Sequence, residues 1–518
     1  MKNKTSSGKD ELSNKLIKSI INEISMPLTI IINQSLVTGI FPDELKIAKV
    51  KPLHKKGDKS CLNNYRPISL LPTISKVFER VMHSQIYEYF NTNNLLSEQQ
   101  YGFRSQHSTE LAAIKLVDSI ISNLDDKRTI KTPISLFLDL SKAFDTLNFS
   151  ILLNKLEYYG IVGVSLNLIK SYLTNRYQYV KYENQASDLV EIKTGIPQGS
   201  ILGPLFFSIY INDLVNSSTK FTYLMYADDT TISFNLEDFP VINKEESINN
   251  ELEKLNIWLK LNKLTLNVAK TKSMIFRKRR HITPVNLSIN GQPINSVSQF
   301  CFLGIMLAEK LTWKNHTDMV MNKLSRINGV LHRLKYIYPE NILLTIYNSL
   351  FLPHINYGSL VWGTTIDRLQ RQQKKAIRTV TRSKFISHTE PLMKELKLLK
   401  VKDLFSLKIL KFLHKLAHDL LPPYFNIYRH HLIKIETPYT LRPHPLPALP
   451  VAHVFAESCL LFQLVAMKNE ITLNDNLILR KLDERSHSHA GFSIYVKNSM
   501  IEKYNYNCTI VDCHICGR

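Results

Sequence analysis

The sequence predicts an α+β fold from two patterns along the chain and from its composition. Short strand-like stretches alternate with helical ones from about residue 46 to about residue 306. Helical periodicity dominates residues 310 to about 430, as in SLKILKFLHKLAHDLL. Hydrophobic residues make up 44% of the 518 residues and aromatic residues 9%, which is typical of a globular chain with roughly three domains.

The charge of the chain favours a polyanionic partner. Lysine and arginine number 66 against 44 acidic residues, a net charge of +22, which suits nucleic acid or an anionic membrane surface. The strongest apolar run, SILGPLFFSIYI, is far shorter than the roughly 18 residues of a membrane span and contains Gly203 and Pro204. The polar N-terminus lacks a signal-peptide core, and the six cysteines do not form a disulfide framework. We therefore expect a reduced, intracellular protein without a membrane partner.

Residues 134–140 predict a central strand, because they are β-prone and nearly all apolar. Asp139 interrupts this run near its C-terminal end, where a strand can present a side chain to a cleft. Taken alone, Asp139 could equally be an isolated structural residue.

The stretch TGIPQGSILGPLFFSIYINDL predicts a tight loop followed by a helix. Gly195, Pro197 and Gly199 form the loop, where the backbone can approach a ligand closely. Gln198 could donate or accept a hydrogen bond at a base or sugar edge. An ordinary connector before a core helix is the alternative for this stretch.

Two adjacent carboxylates, Asp228 and Asp229, lie in the stretch MYADDTTISF. Apolar residues alternate on both sides of them, which predicts two strands with the pair at the tip of a hairpin. Neighbouring carboxylates repel each other, so we expect a cation nearby. A solvated turn is the alternative for this stretch considered alone.

Asp139, Asp228 and Asp229 together could form a three-carboxylate cluster. Hard divalent cations, Mg²⁺ above all, prefer such oxygen ligands and share them with substrate phosphates. Two such ions can stabilise the entering and the leaving oxygen in phosphoryl transfer. Binding of the metal would relieve the repulsion between the two adjacent carboxylates.

Basic residues cluster in two places. The segment KTKSMIFRKRR, residues 270–280, holds six of them without an acid. The segment DRLQRQQKKAIRTVTRSK predicts a helix with an apolar stripe on one side. Its other face carries cations at spacings of three and four, which suits a phosphate backbone: Arg368, Arg371, Lys375, Arg378 and Arg382. A solvated helix face is the alternative.

Taken in order, these stretches resemble the reverse transcriptase of non-LTR (LINE-type) retrotransposons, most of all the jockey-type elements. FLDLSKAFD, GIPQGSILGPLFF and YADD match the palm motifs of that family. FPDELKIAKVKPLHKKGD, NNYRPISLLPTISKVFERV and LSEQQYGFRSQHST match its fingers. LTLNVAKTK, FCFLGIML, PHINYGSLVWG and LQRQQKKAIRTVTR match its later palm, primer grip, thumb and the region after the thumb. The resemblance, from about residue 33 to about residue 430, implies a right-hand polymerase with a helical C-terminal extension.

The resemblance also implies a role for each matched residue. Asp139, Asp228 and Asp229 would be the ligands of two Mg²⁺ ions, for which Mn²⁺ can substitute. Lys270 matches the lysine proposed as general acid to the pyrophosphate, and a surface lysine is the alternative for this position. The remaining matches concern nucleotide binding: Arg66 at the triphosphate, with Lys55 as a second candidate, Phe144 beneath the sugar, and Gln198 with Gly199 supporting template and nucleotide.

The function implied is RNA-directed DNA polymerisation, in which dNTPs are added to a DNA 3′-hydroxyl on an RNA template. The expected partners are template RNA, a DNA primer or target DNA, and dNTPs. Nuclear localisation follows from the family's priming on chromosomal DNA. One alternative is a catalytically inactive, nucleic-acid-binding remnant of a retroelement. Another is a viral RNA-dependent RNA polymerase, which bulky Phe144 disfavours because such an enzyme must admit a 2′-hydroxyl.

Four regions are predicted: a helical lead-in (1–44), fingers and palm (45–307), a helical thumb with the basic helical region (308–435), and a C-terminal region (436–518) that begins near a proline-rich stretch. The family's proteins usually begin with an endonuclease domain, and no segment here resembles one, so we expect a fragment, a truncated copy or a cleaved product. Cys508, Cys513 and Cys516 form a candidate zinc motif at a spacing unusual for the family. A fourth ligand could come from His487, His489 or His514, and metal-free cysteines are the alternative.

Overall fold

The computed structural model describes residues 7–126, 131–183, 185–277, 285–363, 366–428, 477–478 and 495–496. The α-helices within these ranges are α1 (Asn14–Ser19), α2 (Ile21–Thr38), α3 (Thr73–Thr92), α4 (Thr109–Asp125), α5 (Phe149–Tyr158), α6 (Gly163–Leu173), α7 (Leu202–Tyr210), α8 (Lys244–Leu261), α9 (Lys314–Leu334), α10 (Glu340–Ile346), α11 (Leu352–Asn356), α12 (Ser359–Trp362), α13 (Ile366–Val380), α14 (Thr389–Glu395) and α15 (Val401–Ala417).

The β-strands within the same ranges are β1 (Ile47–His54), β2 (Tyr65–Leu70), β3 (Pro133–Asp139), β4 (Arg176–Tyr182), β5 (Gln185–Ala186), β6 (Val190–Ile192), β7 (Thr222–Tyr226), β8 (Asp229–Asn235), β9 (Lys272–Ile275), β10 (Ser288–Ile289), β11 (Gln292–Pro293), β12 (Asn295–Ser296), β13 (Gln299–Phe302), β14 (Ile305–Ala308), β15 (Leu477–Ile478) and β16 (Tyr495–Val496). Helices and sheets are thus both present in quantity, and the predicted α+β class is confirmed.

The chain divides into two compact units, which we call the first unit and the second unit. The first unit comprises the described parts of residues 1–105, 134–273 and 283–296, and the second unit comprises those of residues 106–133, 274–282 and 297–518. Helix α4, which the sequence places with the fingers and palm, belongs to the second unit.

Two sheets organise the first unit. The first has the strand order β2-β1-β4-β5, with β6 paired to β4, and its β1–β2 hairpin sets Leu53 opposite Arg66. The second has the order β12-β9-β3-β8-β7, so that β3 lies in its centre. Strand β3 is buried from Pro133 to Leu138, whereas Asp139 at its end is half-buried. A buried strand that ends in a partly exposed carboxylate is the structure that the sequence predicts.

The core of the first unit packs against helix α7. Every residue of this helix except Pro204 is buried, and Phe206, Phe207 and Tyr210 are fully buried. Strand β7 is buried on both faces from Tyr223 to Met225, whereas the alternation in the sequence predicts burial on one face only. Strand β7 is last in the hydrogen-bonded order, and the backbone of residues 99–101 pairs with Met225 at its outer edge.

The second unit is mainly helical. Helix α13 packs against α9, α14 and α15, and the β13–β14 hairpin lies beside α9. The predicted apolar stripe of α13 is its buried face, because Leu369, Ala376, Ile377 and Val380 are at most 1% exposed. Among the described residues no helix has both the length and the apolar character to cross a bilayer.

Candidate active site

A cleft of about 1350 Å³ in the first unit collects almost all the residues that the sequence selects for catalysis and nucleotide binding. Eight of those nine residues line it, and only Asp229 does not. The eight are Lys55, Arg66, Asp139, Phe144, Gln198, Gly199, Asp228 and Lys270. They come from separate segments of the chain, so the fold rather than sequence proximity brings them together.

The β7–β8 hairpin carries the two adjacent carboxylates, as predicted. Tyr226 pairs with Asp229, which leaves Ala227 and Asp228 as a two-residue turn at the tip. Ala227 has a φ of 56°, a left-handed conformation that is uncommon outside glycine. A Cβ added to Gly102 would lie 2.2 Å from the Ala227 nitrogen, so the neighbouring segment touches the turn backbone directly. The position of Asp228 is therefore fixed by close backbone packing.

The end of β3 is tied to the turn that carries Lys270. The Asn267 N–H donates to the Asp139 carbonyl oxygen at 2.8 Å, and the Lys270 N–H donates to the Asn267 carbonyl oxygen at 3.1 Å. The Lys270 Nζ lies 3.7 Å from Oδ2 of Asp139. The Lys270 side chain is largely exposed and that of Asp139 is partly exposed, so this ion pair contributes little to stability and the ammonium stays accessible from the cleft.

The three carboxylates lie within electrostatic reach of one another. Partial burial of its carboxyl, and then the charges of Asp228 and Asp139, raise the pKa of Asp229 above its ordinary value. Within the described ranges, no three His, Cys, Asp or Glu side chains are gathered closely enough to hold one metal ion. The donor chemistry nevertheless fits a divalent cation, because Asp139 and Asp228 line the same cleft and a cation would relieve the repulsion that Asp229 experiences.

The Gly199 loop is held against strand β2. The Ser69 N–H donates to the Gln198 carbonyl oxygen at 2.8 Å, and a Cβ added to Gly199 would lie 2.5 Å from the Ser69 carbonyl oxygen. Gly199 also has a φ of +130°, so a side chain is excluded there on both grounds. The Gln198 Nε2 donates to Oδ1 of Asp145 at 2.9 Å. Its predicted contact with a base or sugar stays a prediction.

Phe144 is a rigid part of the cleft wall. Its ring stacks on Phe207 with ring centroids 4.6 Å apart, and Phe103 meets it edge-on at 6.4 Å. The Ile196 N–H donates to the Phe144 carbonyl oxygen at 2.9 Å, which fixes the backbone as well. A half-buried ring held in this way has little freedom to move aside for a bulkier sugar.

Glu79 is a supporting residue that the sequence analysis missed. It is fully buried on α3, where its Oε2 accepts a hydrogen bond of 2.5 Å from the Ile201 N–H and its Oε1 accepts one of 3.2 Å from the Tyr172 hydroxyl. Burial raises the pKa of Glu79 above its ordinary value, against the opposing effect of the Ile201 N–H and of Arg176. Glu79 thereby anchors the end of the Gly199 loop. Glu79 could have been predicted from the stretch SKVFERV, because there an acidic residue occupies a buried position of an amphipathic helix.

The predicted cationic face of α13 is only partly available. Arg368 pairs with Asp318 at 2.7 Å, the Arg378 Nε donates to the Ser387 carbonyl oxygen, and Arg382 donates to the Tyr338 carbonyl oxygen, the last two at 2.9 Å. Arg371 and Lys375 are exposed, and so is Lys374, which the sequence analysis did not select. Protein contacts that the sequence does not reveal thus engage three of the five selected side chains.

The basic cluster at residues 270–280 lies partly outside the described residues, and the candidate zinc motif lies wholly outside them. Arg277 pairs with Glu309 at 2.8 Å, and residues 278–280 of the same basic cluster are not described. Cys508, Cys513 and Cys516 are outside the described residues, as are His487, His489 and His514.

The part of the chain that carries the predicted cleft residues matches a known family. A family model described as "Reverse transcriptase (RNA-dependent DNA polymerase)" matches residues 53–307, which include the eight cleft residues and Asp229. Residues 53–307 are a reverse transcriptase domain. The sequence predicts a right-hand polymerase fold, and this domain family has that fold.

Relatives of the reverse transcriptase domain come from non-LTR retrotransposons. The "Probable RNA-directed DNA polymerase from transposon X-element" of Drosophila melanogaster is 28% identical over 77% of this chain and 45% of its own length. The "RNA-directed DNA polymerase from mobile element jockey" of the same species is 27% identical over 77% of this chain and 44% of its own. The chain spans less than half the length of these relatives, and the predicted resemblance to jockey-type elements is confirmed.

Among solved structures, telomerase from Candida albicans with a telomeric RNA fragment aligns at a TM-score of 0.40 and 14% identity, covering 76% of this chain and 62% of that one. This global similarity is weak.

Proposed function

We propose that this chain is the RNA-directed DNA polymerase of a jockey-like non-LTR retrotransposon. The observation that carries the proposal is the meeting of Asp139 and Asp228, from two separate strand ends, in a cleft that Arg66 and Phe144 also line. Carboxylates for a metal, a guanidinium for a triphosphate and a ring for a sugar are the parts that nucleotidyl transfer requires. The template would be RNA, the primer or target DNA, and the substrates dNTPs.

In the proposed reaction, the 3′-oxygen of the DNA primer forms a bond to the α-phosphorus of the dNTP. The bond from the α-phosphorus to the oxygen that bridges to the β-phosphorus breaks, and pyrophosphate leaves with that oxygen. The 3′-hydroxyl proton is lost to solvent, and the Lys270 Nζ donates a proton to the leaving oxygen. Bound Mg²⁺ supplies Lewis-acid stabilisation of the charge that develops on these oxygens.

The other residues bind and orient the substrates. Arg66 presents a rigid fork of donors to the triphosphate, and Lys55 adds a second positive charge on the same hairpin. Phe144, held by Phe207, excludes a 2′-hydroxyl by steric overlap. Asp139 and Asp228, with Asp229 beside them, would hold the metal ions. Such a protein would work in the nucleus if it primes on chromosomal DNA.

An inactive, nucleic-acid-binding remnant is the second candidate. A protein of that kind would keep its basic surfaces without any need to keep its catalytic geometry. Here the acids are present and the Gly199 loop and the Gly102 contact are closely packed around them, which favours an active enzyme.

Primer extension tests the proposal. Purified protein is incubated with a DNA primer annealed to an RNA template, Mg²⁺ and dNTPs. One parallel reaction contains EDTA in place of Mg²⁺, and another contains rNTPs in place of dNTPs. We expect templated extension with dNTPs, none with EDTA and far less with rNTPs. Absence of extension by a folded protein that binds the same primer–template would support the remnant, and efficient extension by rNTPs would support an RNA polymerase.

A further inference from the structure

Two loops of the second unit expose large apolar side chains beside cations. Phe385 and Ile386, after helix α13, are each 83% exposed. Tyr336 and Ile337, after helix α9, are 76% and 71% exposed. We call residues 335–338 and 382–386 together the aromatic–basic surface. A single exposed ring needs no explanation, whereas several exposed apolar side chains grouped together indicate an interaction site.

The loop that carries Phe385 has a fixed conformation. The Ser387 N–H donates to the Lys384 carbonyl oxygen at 3.0 Å, which puts Phe385 and Ile386 at the two corners of a turn. The Arg378 side chain donates to the Ser387 carbonyl oxygen, and its guanidinium lies 5.8 Å from the centre of the Phe385 ring. Turn corners normally carry small or polar residues. Here two apolar side chains are held out from the protein by a preformed loop.

The two loops form one continuous surface. The Arg382 guanidinium donates to the Tyr338 carbonyl oxygen at 2.9 Å, which joins them directly. The Lys335 Nζ lies 4.9 Å from the centre of the Tyr336 ring, so each exposed ring has a cation beside it. Neither loop contains an acidic residue between positions 335 and 339 or between positions 381 and 387. The exposed cations Arg371, Lys374 and Lys375 of α13 lead toward this surface along one helix face.

We infer that the aromatic–basic surface binds a single strand of nucleic acid, with bases stacked on Phe385 and Tyr336 and phosphates held by the surrounding lysines and arginines. Alternating cations and exposed rings are how proteins bind single strands without reading their sequence, because every base offers a flat face and every nucleotide a phosphate. A duplex keeps its bases stacked internally and would use only the cations. The inference concerns a site other than the catalytic cleft and does not depend on polymerase activity.

A membrane surface is the competing partner for cations with apolar side chains. The geometry of α13 disfavours it, because an interfacial helix needs a free apolar face. The apolar face of α13 is buried in the protein, with Leu369, Ala376 and Ile377 at most 1% exposed. Only the two loop tips are left to enter a lipid surface.

The test uses single-stranded RNA and DNA oligonucleotides of about 12 nucleotides carrying 2-aminopurine, and a duplex of equal length. In the full chain, the double variant Phe385→Ala with Tyr336→Ala should bind both single strands about tenfold or more weakly and lose the quenching of 2-aminopurine that accompanies stacking. Duplex binding should change less than about twofold, and the salt dependence of single-strand binding should keep its slope, because no cation is removed. Tyr158→Ala, which removes an 88% exposed ring from the first unit, is the matched control and should leave all three affinities unchanged.

Two single substitutions at Phe385 separate stacking from apolar burial. Phe385→Trp should preserve single-strand affinity, whereas Phe385→Leu should lower it nearly as far as Phe385→Ala. Unchanged single-strand affinity and quenching in the folded double variant would overturn the inference. It would also be overturned if binding to phosphatidylserine vesicles fell instead, with Phe385→Leu behaving as wild type. Failure of the proposed polymerase function would show separately, as absence of primer extension by the wild-type protein.

Discussion

The cleft and the cationic face of α13 position their functional side chains by opposite means. In the cleft, backbone packs against backbone, so that a Cβ added to Gly102 or Gly199 would lie 2.2 Å or 2.5 Å from a main-chain atom. On α13 the backbone is an ordinary helix, and the contacts of each long side chain determine what it can bind. Arg378 is engaged with the protein, whereas Arg371 and Lys375 are exposed.

The difference predicts different responses to substitution. In the cleft a single methyl group should disturb the position of several reacting groups at once, so effects should be large and abrupt. On α13 each removed cation should subtract a small, similar amount of binding. Activity and affinity should therefore respond to different sets of residues.

Apart from the loss of a cleft carboxylate, the largest effect should come from Gly102→Ala. The new methyl group would have to displace the Ala227 backbone and with it Asp228, and a misplacement of about 1 Å can reduce the rate about a hundredfold. Single-nucleotide extension by the folded variant measures this. Gly329→Ala is the control, because nothing lies within 4 Å of a Cβ added there in helix α9, and it should retain full activity. Equal activity of the two variants would show that the hairpin position is not fixed by packing.

The stability of the second unit should depend on pH through a buried histidine, His316. Burial, assisted by the charge of Lys323, lowers the pKa of His316 to about 4, while the Met306 N–H donates to its Nδ1 at 3.1 Å. Between pH 6.5 and pH 4 the unfolded chain therefore binds a proton that the folded chain does not, so stability is present above pH 6.5 and falls as the pH is lowered.

Urea unfolding at pH 8 and at pH 5 measures this dependence. The wild type should lose about 2 kcal/mol more than His316→Gln, which keeps an acceptor for the Met306 N–H but does not titrate. An identical loss in both proteins would place the pH dependence elsewhere.

Substitution of Phe144 should change selectivity rather than the overall rate. Phe144→Ala removes the ring packed on Phe207 in the cleft, so we expect incorporation of rNTPs relative to dNTPs to rise about tenfold. Competition between mixed rNTP and dNTP pools gives the ratio, and Phe144→Tyr, which keeps the ring, should preserve the wild-type ratio. If Phe144→Ala extends primers with an unchanged ratio, the ring does not select the sugar.

The smallest effects should come from α13. Replacing Arg371, Lys374 and Lys375 by Ala should weaken binding to all sequences about equally and reduce the slope of affinity against salt by about two to three. Arg368→Ala is the control, because its guanidinium is paired with Asp318 and should release few counterions. Equal slopes for the wild type and the triple variant would mean that this face is merely solvated.

Local patterns in the sequence predicted the parts of the site that depend on local structure. The buried strand that ends at Asp139, the hairpin tip at Asp228 and the loop at Gly199 were each visible in a stretch of about ten residues. The helix α13 and its apolar face were predicted for the same reason.

Contacts between distant segments could not be predicted in this way. Glu79 meets Ile201 across more than a hundred residues, and Arg368 meets Asp318 across fifty. Such partners depend on how whole elements pack, and a single sequence does not contain that information in any local pattern. For this reason the sequence selected residues of which eight line one cleft, but overestimated the free cations of α13.

The most direct test of the central claim measures rate and binding together in one variant, Asp228→Asn. Asp228 lies at the hairpin tip in the cleft as a proposed metal ligand, so removal of its carboxylate should reduce extension about a hundredfold or more. A carboxylate does not attract the phosphate backbone, so binding should not depend on it. Affinity for primer–template should stay within about twofold of wild type. Asp238→Asn, an exposed acid just beyond the far end of β8, should match wild type in both measurements. Near wild-type extension by Asp228→Asn would contradict the account, because it would leave the cleft without the carboxylate on which the proposed chemistry depends.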